Sequence, residues 1–388
     1  MEITRKNGTN KASESSIGAA SACRRRGTFR GVRCHTGARR FPLCFTIRHI
    51  RSHHDGTLAR HIAENSVSGV TSNPSIFQNA LASSPYYADD LARLRASEPE
   101  PERRYEALVI PDIQAACDLL LPTFETSGGR DGYVSLEVAP KWAYDTATTV
   151  EEAKRLSAAV SRRNLLVKVP GTPQGVQAFE ALTALGINVN VTLLFSVAQT
   201  EAVFNAYIRG LGTRVQAGAD VRASHAVASL FLSRVDTLVD KQLTAIGTPE
   251  ALALRGHAAV AMAKQAYQRY LAIFHGEPFA ALAQHGAMPQ WLLWASTGVK
   301  NPDYSDLLYV EPLIGPETIN TLPDKTLAAL AEHGQPALQV ASGVAESTAQ
   351  LAALARLGID MEQVGLTLQG EGVESFEAAF QKLLQQAA

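Results

Sequence analysis

The chain has 388 residues, of which 46% are hydrophobic and 19% are charged, a balance typical of a folded globular protein. No run of about 18 apolar residues occurs, so the sequence predicts no membrane-spanning helix and no membrane partner. The formal net charge of −1 gives no reason to expect a nucleic acid partner. Three of the four cysteines precede residue 54, and a body with Cys117 alone suits a reducing compartment, which predicts a cytoplasmic protein.

The first 54 residues, here called the leader, differ in composition from the rest. They carry 12 Lys and Arg against 2 Glu, a net charge of +10, whereas residues 55–388 carry a net charge of −11. The leader lacks the apolar core of about 7–15 residues that a secretory signal needs. Its composition fits an organellar transit peptide, a basic nucleic-acid-binding tail, or residues that are not native coding sequence. We expect residues 1–54 to be disordered or non-native and residues 55–388 to form one domain.

Within residues 55–388, short β-branched runs alternate with longer helical stretches rich in Ala, Leu and Glu. The runs that predict strands are residues 68–71, 133–138, 165–169, 188–192, 226–229, 291–295 and 307–310. The amphipathic stretches between them include residues 150–159, 175–184, 198–211 and 251–274. Such alternation predicts a parallel sheet with helical crossovers, either an open doubly wound sheet or a closed barrel.

Two features favour the barrel. No glycine fingerprint for a dinucleotide and no Walker A loop follows any of the runs. Polar residues recur at the ends of the runs, where the strands of a barrel converge on one site: Asn73, Glu137, Lys168, Asn190, Thr192, Ser229 and Ser296. We therefore predict an α/β fold, a (β/α)8 TIM barrel with extra helices. Its remaining strand has room only at residues 43–47, where the pattern is poor.

Lys168 is the most informative candidate because it is the one cation in an apolar strand, LLVKVP. Burial of an ammonium group is costly, and a lowered pKa is the usual escape. A neutral amine at a strand end is what Schiff-base chemistry on a carbonyl requires. The alternative is a lysine that reaches solvent at the strand end or pairs with a carboxylate.

Glu137, Asn190 and Thr192 occupy similar positions at the ends of apolar strands. Glu137 is a candidate for proton transfer or for orienting a water near Lys168, and the alternative is a structural ion pair. Asn190 and Thr192 alternate along one strand, so their side chains lie on the same face. Without a catalytic role, they would form a polar layer inside the barrel.

Ser229, Arg234 and Lys300 form a candidate anion site. Arg234 and Lys300 each follow a predicted strand end, and phosphate commonly binds near the last strands of a barrel. Taken singly, each cation fits an ordinary surface position better than a phosphate site. The histidines show no metal-ligand spacing, so we predict no metal.

The same residues lie in segments that resemble signatures of the transaldolase family, and the resemblance extends from about Asp55 to the C-terminus. The segments are residues 69–77 (GVTSNPSIF), 135–138 (SLEV), 166–175 (LVKVPGTPQG), 186–196 (GINVNVTLLFS) and 294–302 (WASTGVKNP). The last of these, with residues 313–323 (LIGPETINTLP), is similar to the longer bacterial subfamily also found in mycobacteria and cyanobacteria.

The resemblance implies a reaction and a role for each candidate. The family transfers a dihydroxyacetone unit from sedoheptulose 7-phosphate to glyceraldehyde 3-phosphate, giving erythrose 4-phosphate and fructose 6-phosphate, without a cofactor. Lys168 would form the Schiff base, and Glu137 and Thr192 would hold a proton-relaying water. The remaining roles are binding ones: Asn73 and Asn190 for the dihydroxyacetone portion, and Ser229, Arg234 and Lys300 for the phosphate, with Phe231 beside them.

The sequence departs from the family at the end of the first strand. The family carries there an aspartate that takes the proton of the C4 hydroxyl, and counting back from Asp55 places this position near Thr46, with no carboxylate nearby. A shifted reading frame or a wrongly chosen start upstream of Asp55 would explain both this loss and the composition of the leader. The sequence leaves open an active transaldolase, a fructose-6-phosphate aldolase that releases dihydroxyacetone, and a barrel impaired by loss of the base. It predicts no oligomeric state.

Overall fold

A computed structural model describes residues 43–46, 55–83 and 85–388. The predictions made for the leader therefore lie outside the described residues, apart from residues 43–46. Eight parallel strands close into a barrel in chain order. They are β1 Leu43–Thr46, β2 Val67–Thr71, β3 Val134–Glu137, β4 Leu165–Pro170, β5 Val189–Leu194, β6 Ala226–Phe231, β7 Trp291–Ala295 and β8 Thr318–Leu322. The predicted TIM barrel is confirmed.

The barrel closes through β1, the strand for which the sequence pattern is poorest. Phe45 is paired with Val70 of β2 on one side and with Leu322 of β8 on the other. The first strand therefore lies in residues 43–47, the segment where the sequence leaves room for it. All residues of β4, β5 and β6 are buried, as expected for parallel strands covered by helices on the outside and by packed side chains within.

Helices cover the barrel on the outside and lie across one of its ends. They are α1 Thr57–Asn65, α2 Pro74–Ser83, α3 Ala88–Ser97, α4 Pro101–Thr126, α5 Thr146–Val160, α6 Pro173–Leu185, α7 Val197–Gln216, α8 Ser233–Ile246, α9 Pro249–Ala253, α10 Ala258–Phe274, α11 Glu277–Gln284, α12 Asp324–His333, α13 Val344–Arg356 and α14 Met361–Ala387. Short 3₁₀ turns occupy Pro85–Tyr87, Pro140–Trp142 and Glu311–Leu313.

The single helical stretch predicted over residues 251–274 is wrong in one respect, because the structure divides it into α9 and α10. Gly256 lies between them with φ +76°, a left-handed conformation that L side chains rarely adopt. A Cβ at this position would also lie 2.8 Å from the ring of Tyr304. The break is therefore fixed by backbone conformation and by close packing.

The strand predicted at residues 307–310 is also wrong. These residues form turns, and the last strand is β8, which begins at Thr318. The run is apolar because it is buried: Leu307, Tyr309 and Val310 are each at most 2% exposed. Tyr309 donates a hydrogen bond to Asp236, and its carbonyl accepts one from Asn320. A short apolar run indicates burial but does not distinguish a strand from another buried segment.

Helix α4 qualifies the prediction that no segment could span a membrane. Among the described residues it is the helix that is long enough and apolar enough for a span, by length and composition. Core helices of folded domains meet the same criterion. Helix α4 buries Ile113 and Leu120 in the main core with the barrel strands, and Leu108 in a small cluster with Ala80 and Tyr87.

Candidate active site

Three neighbouring strands bring the predicted catalytic side chains into one row. Glu137 on β3 is paired with Lys168 on β4, which is paired with Asn190 on β5. Thr192 lies two residues further along β5 and is paired with Pro170. Because side chains of paired residues lie on the same face of a parallel sheet, all of these residues share the interior of the barrel at its C-terminal end.

Lys168 is 5% exposed and has two hydrogen-bond partners. Its Nζ donates to the carbonyl of Ser72 at 3.0 Å and to Oε2 of Glu137 at 3.1 Å. The ion pair was one alternative left open by the sequence, and it is present. It is also compatible with catalysis, because the carboxylate lies where it can take a proton from the amine.

Glu137 is buried beside Lys168, and burial raises the pKa of its carboxyl group, while the charge of Lys168 acts in the opposite direction. Its second oxygen, Oε1, makes no hydrogen bond to a described protein group, and neither does Oγ1 of Thr192. A buried polar atom without a partner is costly. Both atoms are therefore suited to bind a water or a substrate hydroxyl.

Asn190 lies at the centre of a hydrogen-bonded chain across the barrel interior. Its Nδ2 donates to Oγ of Ser135 at 3.0 Å, and its Oδ1 accepts from Oγ of Ser229 at 2.7 Å. Ser135 was not predicted as a site residue, although it alternates with Glu137 on β3 and so had to share its face.

Asn73 follows β2 and caps α2. Its Oδ1 accepts a hydrogen bond from the backbone N–H of Ile76 at 2.9 Å, which satisfies one of the free donors at a helix N-terminus. The capping bond fixes the side chain at the edge of the cavity and leaves the Nδ2 amide as the group able to donate to a ligand. Ser72, the preceding residue, was not predicted, and its backbone carbonyl holds Lys168.

Arg234 lies at the start of α8 and is half-buried, and this burial lowers the pKa of its guanidinium group. Within the described residues it has no ion pair. Its Cζ lies 5.7 Å from the ring centre of Phe231 and 6.0 Å from that of Phe376. The charge of Glu371 acts on the guanidinium without forming an ion pair with it. A half-buried cation near two aromatic rings and without an ion pair is a strong candidate for binding an anion.

A cavity of about 170 Å³ connects these groups. Its lining includes the predicted residues Asn73, Lys168, Thr192, Ser229, Phe231 and Arg234. Lys300 is exposed and is absent from the lining, so the structure does not bring it to this cavity. Phe376 of α14 lines the cavity and was not predicted.

The end of β1 is the place where the family resemblance implies an aspartate. Thr46 is the last residue of β1 and is paired with Thr71, which lines the cavity. The carboxylate of Asp55 lies elsewhere and accepts a hydrogen bond from the backbone of Thr57 at the start of α1. Among the described residues that line the cavity none is an Asp or Glu, and Glu137 reaches it through Lys168.

No group of three or more His, Cys, Asp or Glu that could hold a metal ion occurs within residues 55–83 and 85–388. A buried lysine beside a carboxylate, at the C-terminal strand ends of a barrel and near a half-buried arginine, is the arrangement expected of an aldolase-type enzyme acting on phosphorylated sugars.

The chain belongs to the transaldolase/fructose-6-phosphate aldolase family, whose model matches residues 47–387. It is 70% identical over 332 residues to a transaldolase of Thiobacillus denitrificans, an alignment that covers 86% of this chain and 92% of the relative. It is 48% identical over 329 residues to a transaldolase of Neisseria meningitidis, covering 85% and 92%. A transaldolase of Mycolicibacterium smegmatis is 47% identical over 330 residues, covering 85% and 89%. The predicted family resemblance is confirmed, and the chain is an enzyme of the transaldolase type.

Proposed function

We propose that this enzyme transfers a dihydroxyacetone unit between sugar phosphates through a Schiff base on Lys168. The observation that carries the proposal is the position of Lys168 Nζ, 3.1 Å from a buried carboxylate and in one cavity with Arg234. The donor is sedoheptulose 7-phosphate, the acceptor is glyceraldehyde 3-phosphate, and the products are erythrose 4-phosphate and fructose 6-phosphate. A cytoplasmic location is part of the proposal and is supported by Cys117, which is buried and unpaired.

In the first step, Lys168 passes a proton to Glu137 and its neutral Nζ attacks the C2 ketone of the donor. The carbinolamine then loses its hydroxyl as water, and the C2 iminium forms. Glu137 Oε1 and Thr192 Oγ1 are the groups placed to hold the water that exchanges these protons, because both are buried and bind no other described protein group.

In the second step, the C4 hydroxyl loses its proton and the C3–C4 bond breaks. The bonding electrons move into the iminium, which leaves an enamine on Lys168 and releases the aldose phosphate. Position 46 carries a threonine where the family resemblance implies the base for this proton. We therefore propose that cleavage is the slow step in this chain.

The remaining residues bind and orient the donor. Asn73 offers its Nδ2 at the dihydroxyacetone end. Asn190 lies beside Lys168 but outside the cavity lining, and to bind the donor it would exchange its bond to Ser135 or to Ser229. Arg234 binds the phosphate at the other end, with Ser229 and Phe231 in the same lining. Lys300 would reach the phosphate only if its loop moved, because it is exposed and outside the lining.

Reductive trapping tests the proposal. Borohydride with fructose 6-phosphate should attach a dihydroxyacetone adduct to Lys168, located by peptide mass spectrometry, and Lys168→Met should abolish it. Lys264→Met is the matched control, because Lys264 is also buried but donates to the carbonyl of Ser342, away from the cavity. Trapping that survives Lys168→Met, or that maps to another lysine, would contradict the proposal.

The alternative is release of free dihydroxyacetone, as in the aldolases of the same family. The three relatives reported above are all transaldolases, which favours transfer. The two activities are separated by measuring free dihydroxyacetone and transfer product in one reaction with erythrose 4-phosphate as acceptor. Dihydroxyacetone as the main product under saturating acceptor would establish the aldolase instead.

A further inference from the structure

Helix α14 lies against the catalytic end of the barrel, and two glycines allow its close approach. A Cβ at Gly365 would lie 2.8 Å from Cβ of Ser196, and one at Gly372 would lie 3.0 Å from Cδ2 of Leu193. Leu193 lies near the end of β5, and Ser196 is the second residue after the strand and the N-cap of α7. The backbone of α14 therefore packs against the loop that follows β5, next to the cavity.

Hydrogen bonds hold α14 near its start, at its middle and at its end. Ser196 donates to Glu362 at 2.5 Å, and Arg104 donates to the carbonyl of Ala387 at 2.6 Å. In the middle, the buried Gln369 donates to the carbonyls of Gly171 at 2.8 Å and Leu193 at 3.0 Å. These bonds fix the position of the helix relative to the ends of β4 and β5.

The Gln369 contact meets a strained point of the backbone. Leu193 has φ +60°, a conformation that is costly for a residue with a side chain and persists where its surroundings enforce it. Its carbonyl is one of the two acceptors of Gln369. The register of α14 is thus coupled to the backbone that carries Thr192.

Phe376 is the residue that α14 places into the cavity. Its ring is 3% exposed, and its centre lies 5.9 Å from Nζ of Lys168 and 6.0 Å from Cζ of Arg234. The ring therefore borders both the proposed Schiff-base end and the proposed phosphate end of the cavity. It comes from a helix far along the chain from either cation.

We propose that Phe376 is a specificity-determining residue that keeps water from the lysine adduct, so that the dihydroxyacetone unit is passed to an aldehyde rather than released. The proposal rests on the proposed function of Lys168. Exclusion of water from an active site prevents hydrolysis of reactive intermediates. The apolar ring, with its centre 5.9 Å from Nζ, takes up part of the cavity between Lys168 and Arg234 that further water would otherwise fill, and the relay water proposed at Glu137 and Thr192 is a separate one.

The enamine adduct on Lys168 can be transferred to an acceptor aldehyde or released as dihydroxyacetone, and the two reactions differ in the group that C3 bonds to. In transfer, the enamine carbon C3 forms a bond to the carbon of the acceptor aldehyde, the aldehyde oxygen takes a proton, and the resulting iminium is hydrolysed to release the new ketose. In release, C3 takes a proton instead, water adds to the iminium carbon C2, and the C2–N bond of the resulting carbinolamine breaks as the nitrogen takes the hydroxyl proton, giving dihydroxyacetone and the free Lys168 amine. Water that reaches the adduct before the acceptor favours release.

The experiment measures dihydroxyacetone formed per sedoheptulose 7-phosphate formed, with fructose 6-phosphate as donor and saturating erythrose 4-phosphate as acceptor. Because this is a ratio of products, it does not depend on the fraction of enzyme that is folded. We expect Phe376→Leu to raise the ratio of dihydroxyacetone to sedoheptulose 7-phosphate about tenfold. This corresponds to a change of about 1.4 kcal/mol in the difference between the activation free energies of release and transfer. Phe376→Met, whose flexible unbranched side chain can fill an irregular gap in the core, should shift this ratio in the same direction.

Phe380→Leu is the matched control. Phe380 lies one turn further along α14, is equally buried at 3% exposed, and packs its ring 5.7 Å from that of Tyr105, outside the cavity lining. The Phe380→Leu variant should be less stable than the parent chain but should give the same ratio of dihydroxyacetone to sedoheptulose 7-phosphate. An unchanged ratio in both Phe376 variants, or an equal rise in Phe380→Leu, would overturn the inference. Failure to trap an adduct on Lys168 in the parent chain would instead overturn the proposed function, and the inference with it.

Discussion

Replacement of Arg234 by methionine tests the phosphate end of the cavity. The substitution keeps an unbranched chain that matches the stem of arginine and removes the charged guanidinium group. A charge-assisted hydrogen bond contributes about 1.5–3 kcal/mol, so loss of one such contact to phosphate should reduce kcat/KM for fructose 6-phosphate by roughly 10- to 150-fold. The upper half of the range is favoured because the guanidinium is half-buried between the rings of Phe231 and Phe376, where water screens it poorly.

The partly buried environment of Arg234 also predicts how Arg234→Met changes the stability of the fold. Arg234 has no ion pair within the described residues, and burial lowers its pKa, so the charge is a cost in the unliganded enzyme. Arg234→Met should therefore leave the free energy of unfolding unchanged or raise it, measured by urea denaturation. A loss of activity accompanied by a large loss of stability would show that the residue is structural.

The assay compares fructose 6-phosphate with unphosphorylated fructose. Arg234→Met should affect the phosphorylated donor alone, and Lys300→Met, the control at an exposed cation outside the lining, should change kcat/KM less than twofold. An equal loss on both sugars, or a larger effect at Lys300 than at Arg234, would refute the assignment of the phosphate site.

Three further predictions concern position 46 and the pH dependence of stability. Thr46→Asp should raise kcat about 10²–10⁴-fold by supplying a base, whereas Thr46→Asn should not; equal rates in both variants would contradict this. Burial lowers the pKa of His225 to about 4, so its neutral form is favoured and stability should fall by about 3 kcal/mol as the pH drops from about 6.5 to 4. In His225→Gln, the free energy of unfolding measured by urea denaturation should change less between pH 6.5 and pH 4 than in the parent chain. Burial raises the pKa of Asp131 to about 7, so stability is lost as the pH rises from about 4 to 7. Asp131→Asn should stabilise the protein at pH 8 by roughly 2–4 kcal/mol and have little effect at pH 4.

The barrel could be predicted because most of its strands are short, continuous apolar runs. The last strand could not, because β8 has the sequence TINTL, in which three of the five side chains are polar. Two of these bond to backbone distant in sequence: Thr321 donates to the carbonyl of Trp294, and Nδ2 of Asn320 donates to that of Tyr309, while Oδ1 of Asn320 has no partner among the described residues. Such partners come from other parts of the chain, so hydropathy along the strand does not reveal them.

The residues of the candidate site also differ in whether the sequence alone could predict them. Lys168 and Glu137 could be predicted because a charge within an apolar strand is unusual wherever it occurs. Ser135 was within reach of the same reasoning, since it alternates with Glu137. Phe376 was not, because a phenylalanine in an amphipathic helix is indistinguishable from any core residue until the packing of α14 brings it to the cavity.

The cavity brings two cations together, and the structure gives each a different environment. Lys168 is paired with Glu137, which can take its proton, so the amine can become neutral and attack a ketone. Arg234 has no such partner among the described residues and remains charged at any working pH, so its counter-ion must come with the substrate. The ring of Phe376 borders both groups and adds no charge of its own. A donor that carries a ketone at one end and a phosphate at the other therefore engages both cations at once, whereas a sugar that lacks the phosphate leaves Arg234 without an ion-pair partner and Lys168 still paired with Glu137.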